Sequence, residues 1–206
     1  MTIDEVLDET SAPATRGDAR RAAIHRAAIA EFSTQGIAGA SMARIARGAG
    51  VSRPALYQYF ANKEEIFASA FVALFEGHVE RAVDELQAES SVADQLDGFL
   101  QRFTGDLWEH MAASEHADEI ESAKTGEVAR AVGELLTDLW RELDQHLATL
   151  VPGRSARIVA RRRGWGDLLQ LSAKGLRADQ PTIDVYRERL RALAESVAAD
   201  IEGTRA

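Results

Sequence analysis

The stretch Ser41-Met-Ala-Arg-Ile-Ala-Arg-Gly-Ala-Gly-Val-Ser-Arg-Pro-Ala-Leu-Tyr-Gln-Tyr-Phe60 constrains this chain more than any other, because it spells two short helices broken by a tight turn. Ser41 is placed to cap the first helix by accepting from a free backbone N–H, and Ile45 and Ala46 then face inward. Gly50 supplies the turn, since a residue with no Cβ takes positive φ at no steric cost. Ala46 and Ala49 are small enough for the second helix to cross close by at a steep angle. Ser52 is the next N-cap, Pro54 falls in the first turn where its missing N–H costs nothing, and Val51 and Leu56 point back into a small core. Arg53, Ala55, Tyr57, Gln58 and Tyr59 are left to face outward. Such a set suits a DNA duplex: Arg forks onto guanine, Gln pairs bidentately with adenine, an Ala methyl touches thymine, and tyrosyl hydroxyls reach phosphates. The plainer alternative is the solvated face of an ordinary helical protein, and the flanking sequence weighs against it.

Upstream, from Arg16, the apolar residues Ile24, Ala27, Ala28 and Phe32 recur at helical spacing and stop at Gly36, a C-cap residue. That is the third helix a small domain needs. Downstream, Asn62-Lys63-Glu64-Glu65 reads as a capping box, with Asn62 as cap and Glu65 reaching back three residues. Lys63 then stands at a helix start, where a cation works against the macrodipole, so a phosphate partner explains it better than local stability does.

These residues, Ile24-x-x-Ala-Ala-x-x-x-Phe32-x-x-x-Gly36, then Ile45-Ala46-x-x-Ala49-Gly50-Val51-Ser52, then Leu56-Tyr57-x-Tyr59-Phe60-x-x-Lys63-Glu64, resemble the N-terminal signature of the tetracycline-repressor (TetR) family of bacterial transcriptional regulators. The resemblance covers about a quarter of the chain at many fixed spacings. It implies an all-α protein: a three-helix helix-turn-helix DNA-binding domain over residues 16–63, and a helical effector-binding and dimerisation body over 64–206. It implies double-stranded operator DNA as a partner, met by Ser41, Arg44, Ser52, Arg53, Pro54, Ala55, Tyr57, Gln58, Tyr59 and Lys63. Pro54 stands where many relatives have glycine or threonine, and Tyr59 where many have histidine, which leaves the operator sequence open.

Charge fits once it is divided along the chain. The net charge is −9. Residues 1–15 carry four acids and no base, residues 16–63 carry seven Arg and one Lys against Asp18 and Glu31, giving +6, and the remainder sums to −11. Basic charge is concentrated where DNA would lie, and an acidic body helps orient docking. Residues 1–15 read as a disordered acidic arm without the Arg or Lys that a minor-groove arm needs.

The chain has no cysteine, which excludes disulfides, thiolate metal sites and cysteine nucleophiles, and a reducing cytoplasm is the natural setting. No apolar run approaches a membrane span, and no signal peptide is evident at the N-terminus, so the expectation is a cytoplasmic protein with no membrane contact. His110 and His116, beside Glu115 and Glu119, carry donors a metal could use, but solvated residues explain them as well, and no metal or cofactor is called for. No phosphate loop or nucleophile elbow suggests an enzyme.

After Lys63 the body reads as helices alone. One runs to about Gln87. Another opens at Ser91 and keeps Val92, Leu96, Phe99, Leu100, Phe103, Leu107, Trp108 and Met111 on one face. Ala112 to Gly126 is a short helix or a loop, and Val128 to Leu150 has the strongest amphipathic pattern before Pro152-Gly153. Two further helices span about Ser155–Leu176 and Thr182–Ile201. Gly164, Gly166 and Gly175 inside the first of them point to close approach by another helix. The resemblance implies a homodimer built on these last two helices through Ile158, Trp165, Leu169, Leu176, Tyr186, Leu190, Leu193 and Val197. A small-molecule effector, apolar or aromatic, is expected between body helices near Phe71, Phe103, Trp108, His110, Met111, Leu136 and Trp140, though each also suits an ordinary core. The function expected is ligand-responsive control of transcription, usually repression. A DNA-acting enzyme with the same reader, or a helical interaction protein with a coincidental motif, are the rivals.

Overall fold

The computed structural model describes residues 15–112, 114–123 and 126–205, giving the backbone alone at 111, 112, 117, 118 and 121. All regular structure among these residues is helical. In chain order the elements are α1 (Arg16–Gly39), α2 (Met42–Gly48), α3 (Arg53–Tyr57), α4 (Lys63–Gln87), α5 (Val92–Leu100), a π-helical turn (Gln101–Gly105), α6 (Asp106–Ala112), α7 (Ala117–Ser122), α8 (Gly126–Leu150), α9 (Ala156–Gly175) and α10 (Ile183–Arg205). The reading of residues 1–14 as a disordered arm lies outside the described residues.

The chain divides into two compact units, 1–77 with 110–134, and 78–109 with 135–206. The first unit therefore takes in more than residues 16–63, adding the first half of α4 and the segment around α7. Its core is Ile24, Ala28, Phe32, Ile45, Leu56, Phe60, Ile66 and Phe67, all buried. Phe32 meets Phe67 edge-on at 5.5 Å, and Phe67 stacks on Phe71 at 5.6 Å. Thr15 caps α1 by accepting from the Asp18 N–H at 3.2 Å. Gly36 breaks α1 as expected, at φ 67 and ψ 172, a region that only glycine populates freely, and one further turn follows it.

Close approach also requires a glycine there. A Cβ on Gly36 would lie 2.2 Å from Glu119 Oε2 and 2.9 Å from His116 Nδ1, because α7 docks against this end of α1. The Ala38 N–H donates to Glu119 Oε1 at 2.8 Å, and the Ser114 hydroxyl donates to Ser33 O at 3.1 Å. His116 and Glu119 are thus packing partners of α1, with His116 Nδ1 3.7 Å from Glu119 Oε2.

In the second unit α10 packs along α5 and the π-helical turn, and α9 packs on α10. The sequence pattern predicts one helix from Ser91 to Met111; instead a π turn separates α5 from α6. Gly105 accounts for its position, since a Cβ there would press to 2.9 Å on Gln101 Oε1 and 3.2 Å on the Arg187 guanidinium. The Gln101 amide donates to Asp97 Oδ1 at 2.8 Å and to Arg187 O at 2.9 Å. Arg187 in turn donates to buried Asp106 at 2.8 Å and to Glu109 at 2.7 Å. An ion pair this well covered fixes register more than it adds stability, because desolvation offsets most of its attraction. Tyr186 completes the joint, fully buried, its hydroxyl donating to Ala173 O at 2.9 Å.

Candidate nucleic-acid interface

The helix-turn-helix forms as its sequence dictates. Ser41 Oγ accepts from the Arg44 N–H at 3.3 Å, and Ser52 Oγ accepts from the Ala55 N–H at 3.3 Å, so both short helices are capped. Gly50 takes φ +64, and the Val51 N–H donates to Ala46 O at 3.0 Å, closing the turn. Pro54 sits at the start of α3, where helices tolerate it. Leu56 is fully buried, while Ser52, Arg53, Pro54, Tyr57 and Gln58 are exposed and Ala55 and Tyr59 half-buried.

The second helix is shorter than its sequence suggests. α3 ends at Tyr57, because the N–H groups of both Tyr59 and Phe60 fall back on Leu56 O at 3.0 and 3.1 Å and carry Phe60 into the core. Gln58 and Tyr59 therefore lie in a turn that follows the helix. Arg53 and Tyr57 remain one turn apart on it, the guanidinium 5.7 Å from the tyrosyl ring and donating to its hydroxyl at 3.4 Å. That contact pre-orders a long side chain without neutralising it.

Two cations have partners within the unit that the sequence did not reveal. Lys63 Nζ donates to Ile37 O at 2.7 Å and Ala38 O at 2.9 Å, and lies 3.4 Å from Ala40 O. It neutralises the carbonyl end of α1, which answers the dipole argument without a phosphate. Arg44 Nε pairs with Glu31 Oε1 at 2.5 Å, and its terminal nitrogen donates to Gly39 O. Arg47, by contrast, is exposed on the last turn of α2 with no ion pair among the described residues. Motif reasoning passed over it, although the charge count included it. Asn62 Oδ1 accepts from the Glu65 N–H at 2.8 Å, and Glu65 reaches the Ala61 N–H at 2.7 Å, one residue further back than a regular capping box.

Behind the motif, buried His25 shares a hydrogen bond of 2.9 Å with Ser69 Oγ and packs at 5.9 Å from Phe60. Burial, and then the nearby Arg21 charge, lower its pKa from 6.5 to about 4.

The residues expected to receive an effector divide into separate groups. In the second unit Trp140 meets Phe99 at 5.8 Å and Phe103 at 6.0 Å, both edge-on, with Leu136 half-buried on the same helix. Trp108 lies instead against Tyr186 at 6.4 Å, with the Arg177 guanidinium 5.4 Å from its ring. In the first unit Phe71 packs between Phe67 and Phe75, and His110 is half-buried. The Met111 side chain lies outside the described residues.

The dimer expectation needs a correction at residue level. Trp165, Leu169, Tyr186, Leu190 and Val197 are buried by their own chain, and Ile158, Leu176 and Leu193 are half-buried. These side chains build the joint between α9 and α10, which leaves no surface on the buried five for a partner. The large apolar side chains exposed on α9 are Val159, Leu168 and Leu171, the last 68 % exposed. Among the described residues, a Cβ added at Gly164, Gly166 or Gly175 would meet nothing within 4 Å. Helical periodicity puts Gly164, Leu168, Leu171 and Gly175 on one face.

Capped, glycine-turned and basic, this N-terminal motif is a helix-turn-helix carried on an all-α chain. Residues 24–70 match the model of bacterial regulatory proteins of the tetR family, so this segment is similar to the N-terminal part of TetR-family transcriptional regulators. It is 36% identical over 86 residues to the HTH-type transcriptional repressor SCO4008 of Streptomyces coelicolor, a match spanning 41% of each chain. The chain thus matches less than half the length of that repressor. The fold extends further than the sequence likeness. A TetR-family regulator from Mesorhizobium loti superposes with a TM-score of 0.63 at 18% identity, covering 90% of this chain and 98% of its own. FadR of Bacillus subtilis in complex with stearoyl-CoA does so at 0.52 and 20% identity, covering 88% and 97%. No helix among the described residues is long and apolar enough to cross a membrane.

Proposed function

We propose that this chain is a ligand-responsive regulator that binds a near-palindromic operator as a homodimer, most simply as a repressor. One observation carries the reading: a doubly capped helix-turn-helix presents Arg53, Tyr57 and Gln58 to solvent with exposed Arg47 nearby in the chain, in a 48-residue span whose net charge is positive against an acidic chain. Residues 16–63 are its DNA-binding part and 64–206 its sensing and dimerising part. Arg53 and Gln58 read bases, and Arg47, Tyr57 and Tyr59 serve phosphates. Ser41, Ser52, Pro54 and Ala55 shape α2 and α3, while Arg44 and Lys63 reach phosphate only alongside the carbonyls they already hold.

Dimerisation falls to the exposed face of α9, with Leu168 and Leu171 as anchors and the glycines admitting a partner helix closely. An apolar or aromatic effector enters beside Phe103, Leu136 and Trp140, where aromatic edges and faces supply a lining for it. α4 is one continuous helix contributing to both units, so a ligand that displaced its C-terminal part would act on its N-terminal part as well. Sequencing genomic fragments retained by the purified protein tests the reading. Enrichment of a two-fold symmetric sequence is the expected result, and retention without sequence preference contradicts it.

A further inference from the structure

The ten residues Arg154 to Arg163 hold five arginines and no acid, within a body that is otherwise strongly acidic. Sequence spacing argues against a nucleic-acid role, because consecutive arginines on a helix point in different directions. The structure gives two of them another setting. A cavity of about 900 Å³ opens among the end of α8, the start of α9 and the end of α10, within the second unit. Arg157, Arg161 and Arg205 line it, together with the hydroxyls of Thr149, Ser155 and Thr204, and no acidic side chain does among the described residues.

The three arginines are not equivalent. Arg161 is held by Asp200 at 2.5 Å, with its guanidinium 5.8 Å from the Trp165 ring. Arg157 and Arg205 are exposed and have no ion pair among the described residues. Arg157 stands in the first turn of α9, where a cation opposes the helix dipole, so local stability does not explain it. The hydroxyls divide likewise. Those of Thr149 and Thr204 donate to carbonyls of their own helices, both at 2.7 Å. Ser155 Oγ accepts from the Ile158 N–H at 3.3 Å, and its own hydrogen is left to donate. Leu150, Val151, Pro152 and Ile158 supply the apolar part of the wall. Gly153 shapes it: φ is +144, and a Cβ would lie 2.7 Å from Ile158 Cδ1.

We infer that this cavity is a binding site for a small organic anion, its carboxylate or phosphate held by Arg157, Arg205 and the Ser155 hydroxyl and its apolar part resting on Leu150, Val151 and Ile158. The volume lies within the range that small-molecule sites occupy. Paired guanidinium groups are suited to carboxylate and phosphate oxygens alike. The site is separate from the aromatic cluster around Trp140 and does not depend on the operator reading.

Calorimetric titration of the full chain with hexyl phosphate, hexanoate, 1-hexanol and inorganic phosphate tests it, beside the variant Arg157→Gln/Arg205→Gln and each single substitution. Both positions are exposed, so an unchanged melting temperature is expected of the variants. The inference predicts that at least one hexyl anion binds, which one telling carboxylate from phosphate, and that the double variant weakens it about tenfold or more. It predicts no binding of hexanol and weaker binding of inorganic phosphate. Hexanol binding as tightly as the anions, inorganic phosphate matching hexyl phosphate, anion affinity unchanged in the variants, or no anion uptake at millimolar concentration would each overturn it.

Discussion

Lys63 shows how a single side chain can serve two demands. Its position at the start of α4 is unfavourable for a cation, and the structure resolves this locally, by giving the ammonium the carbonyls of Ile37 and Ala38. Lys63→Ala should therefore lower stability by about 1.5–3 kcal/mol, the usual worth of charge-assisted hydrogen bonds, and weaken all DNA sequences alike. Arg53→Ala should leave stability within about 0.5 kcal/mol and relax sequence preference, at a cost near 1–3 kcal/mol on the operator. Urea melts combined with binding to operator and scrambled DNA separate the two, and equal loss on both DNAs for Arg53→Ala would remove it as a base reader. His25 gives the same unit a pH dependence. With its folded-state pKa lowered to about 4, the unfolded chain takes up a proton below pH 6.5 that the folded chain refuses. Stability is then complete above pH 6.5 and falls as pH drops toward 4, by up to about 3 kcal/mol. His25→Gln should flatten that slope in denaturation midpoints measured across the window; parallel slopes for the two proteins would count against it.

Among the elements, the joint between α1 and α7 is the most sharply testable. Gly36→Ala places a residue with a Cβ in a glycine-only backbone region and against Glu119, whereas Gly50→Ala meets nothing within 4 Å. We expect Gly36→Ala to destabilise by about 2–4 kcal/mol, from backbone strain together with the lost Ala38–Glu119 hydrogen bond. Gly50→Ala should cost only about 1–2 kcal/mol. In a Glu119→Ala background the difference should shrink, and a difference that persists would leave strain as the whole cause. Both glycines and all three serine caps of α2, α3 and α5 were legible in the sequence, because glycine φ and N-capping are decided within four residues. The π turn was not, because it answers to Arg187, far along the chain. The early stop of α3 was hidden for the same reason, since Phe60 turns inward to a core that sequence periodicity does not display. The carbonyl partners of Lys63, likewise, are some 25 residues away.

At the scale of the whole molecule, amphipathic pattern reported that α9 and α10 carry apolar faces but not which face is used within the chain. Trp165, Leu169 and Tyr186 are spent on the core, leaving Leu168 and Leu171 outward. Leu168→Glu/Leu171→Glu should keep its helix content and melt like the parent, while sedimenting as a monomer where the parent is expected to sediment as a dimer. Leu169→Glu, placing a charge in the core, should unfold. A parent chain that sediments as a monomer at micromolar concentration would refute this assignment of the interface.

The claim that a basic helix-turn-helix reads DNA in pairs is tested most directly by titrating the full chain onto one enriched half-site and onto two, at rising salt. The account predicts that two half-sites bind at least about a hundredfold more tightly than one, through effective concentration, with log affinity falling linearly in log salt. It also predicts that the Leu168→Glu/Leu171→Glu variant loses the advantage while keeping weak half-site binding. Equal affinity for one and two half-sites, or binding indifferent to salt, would contradict it.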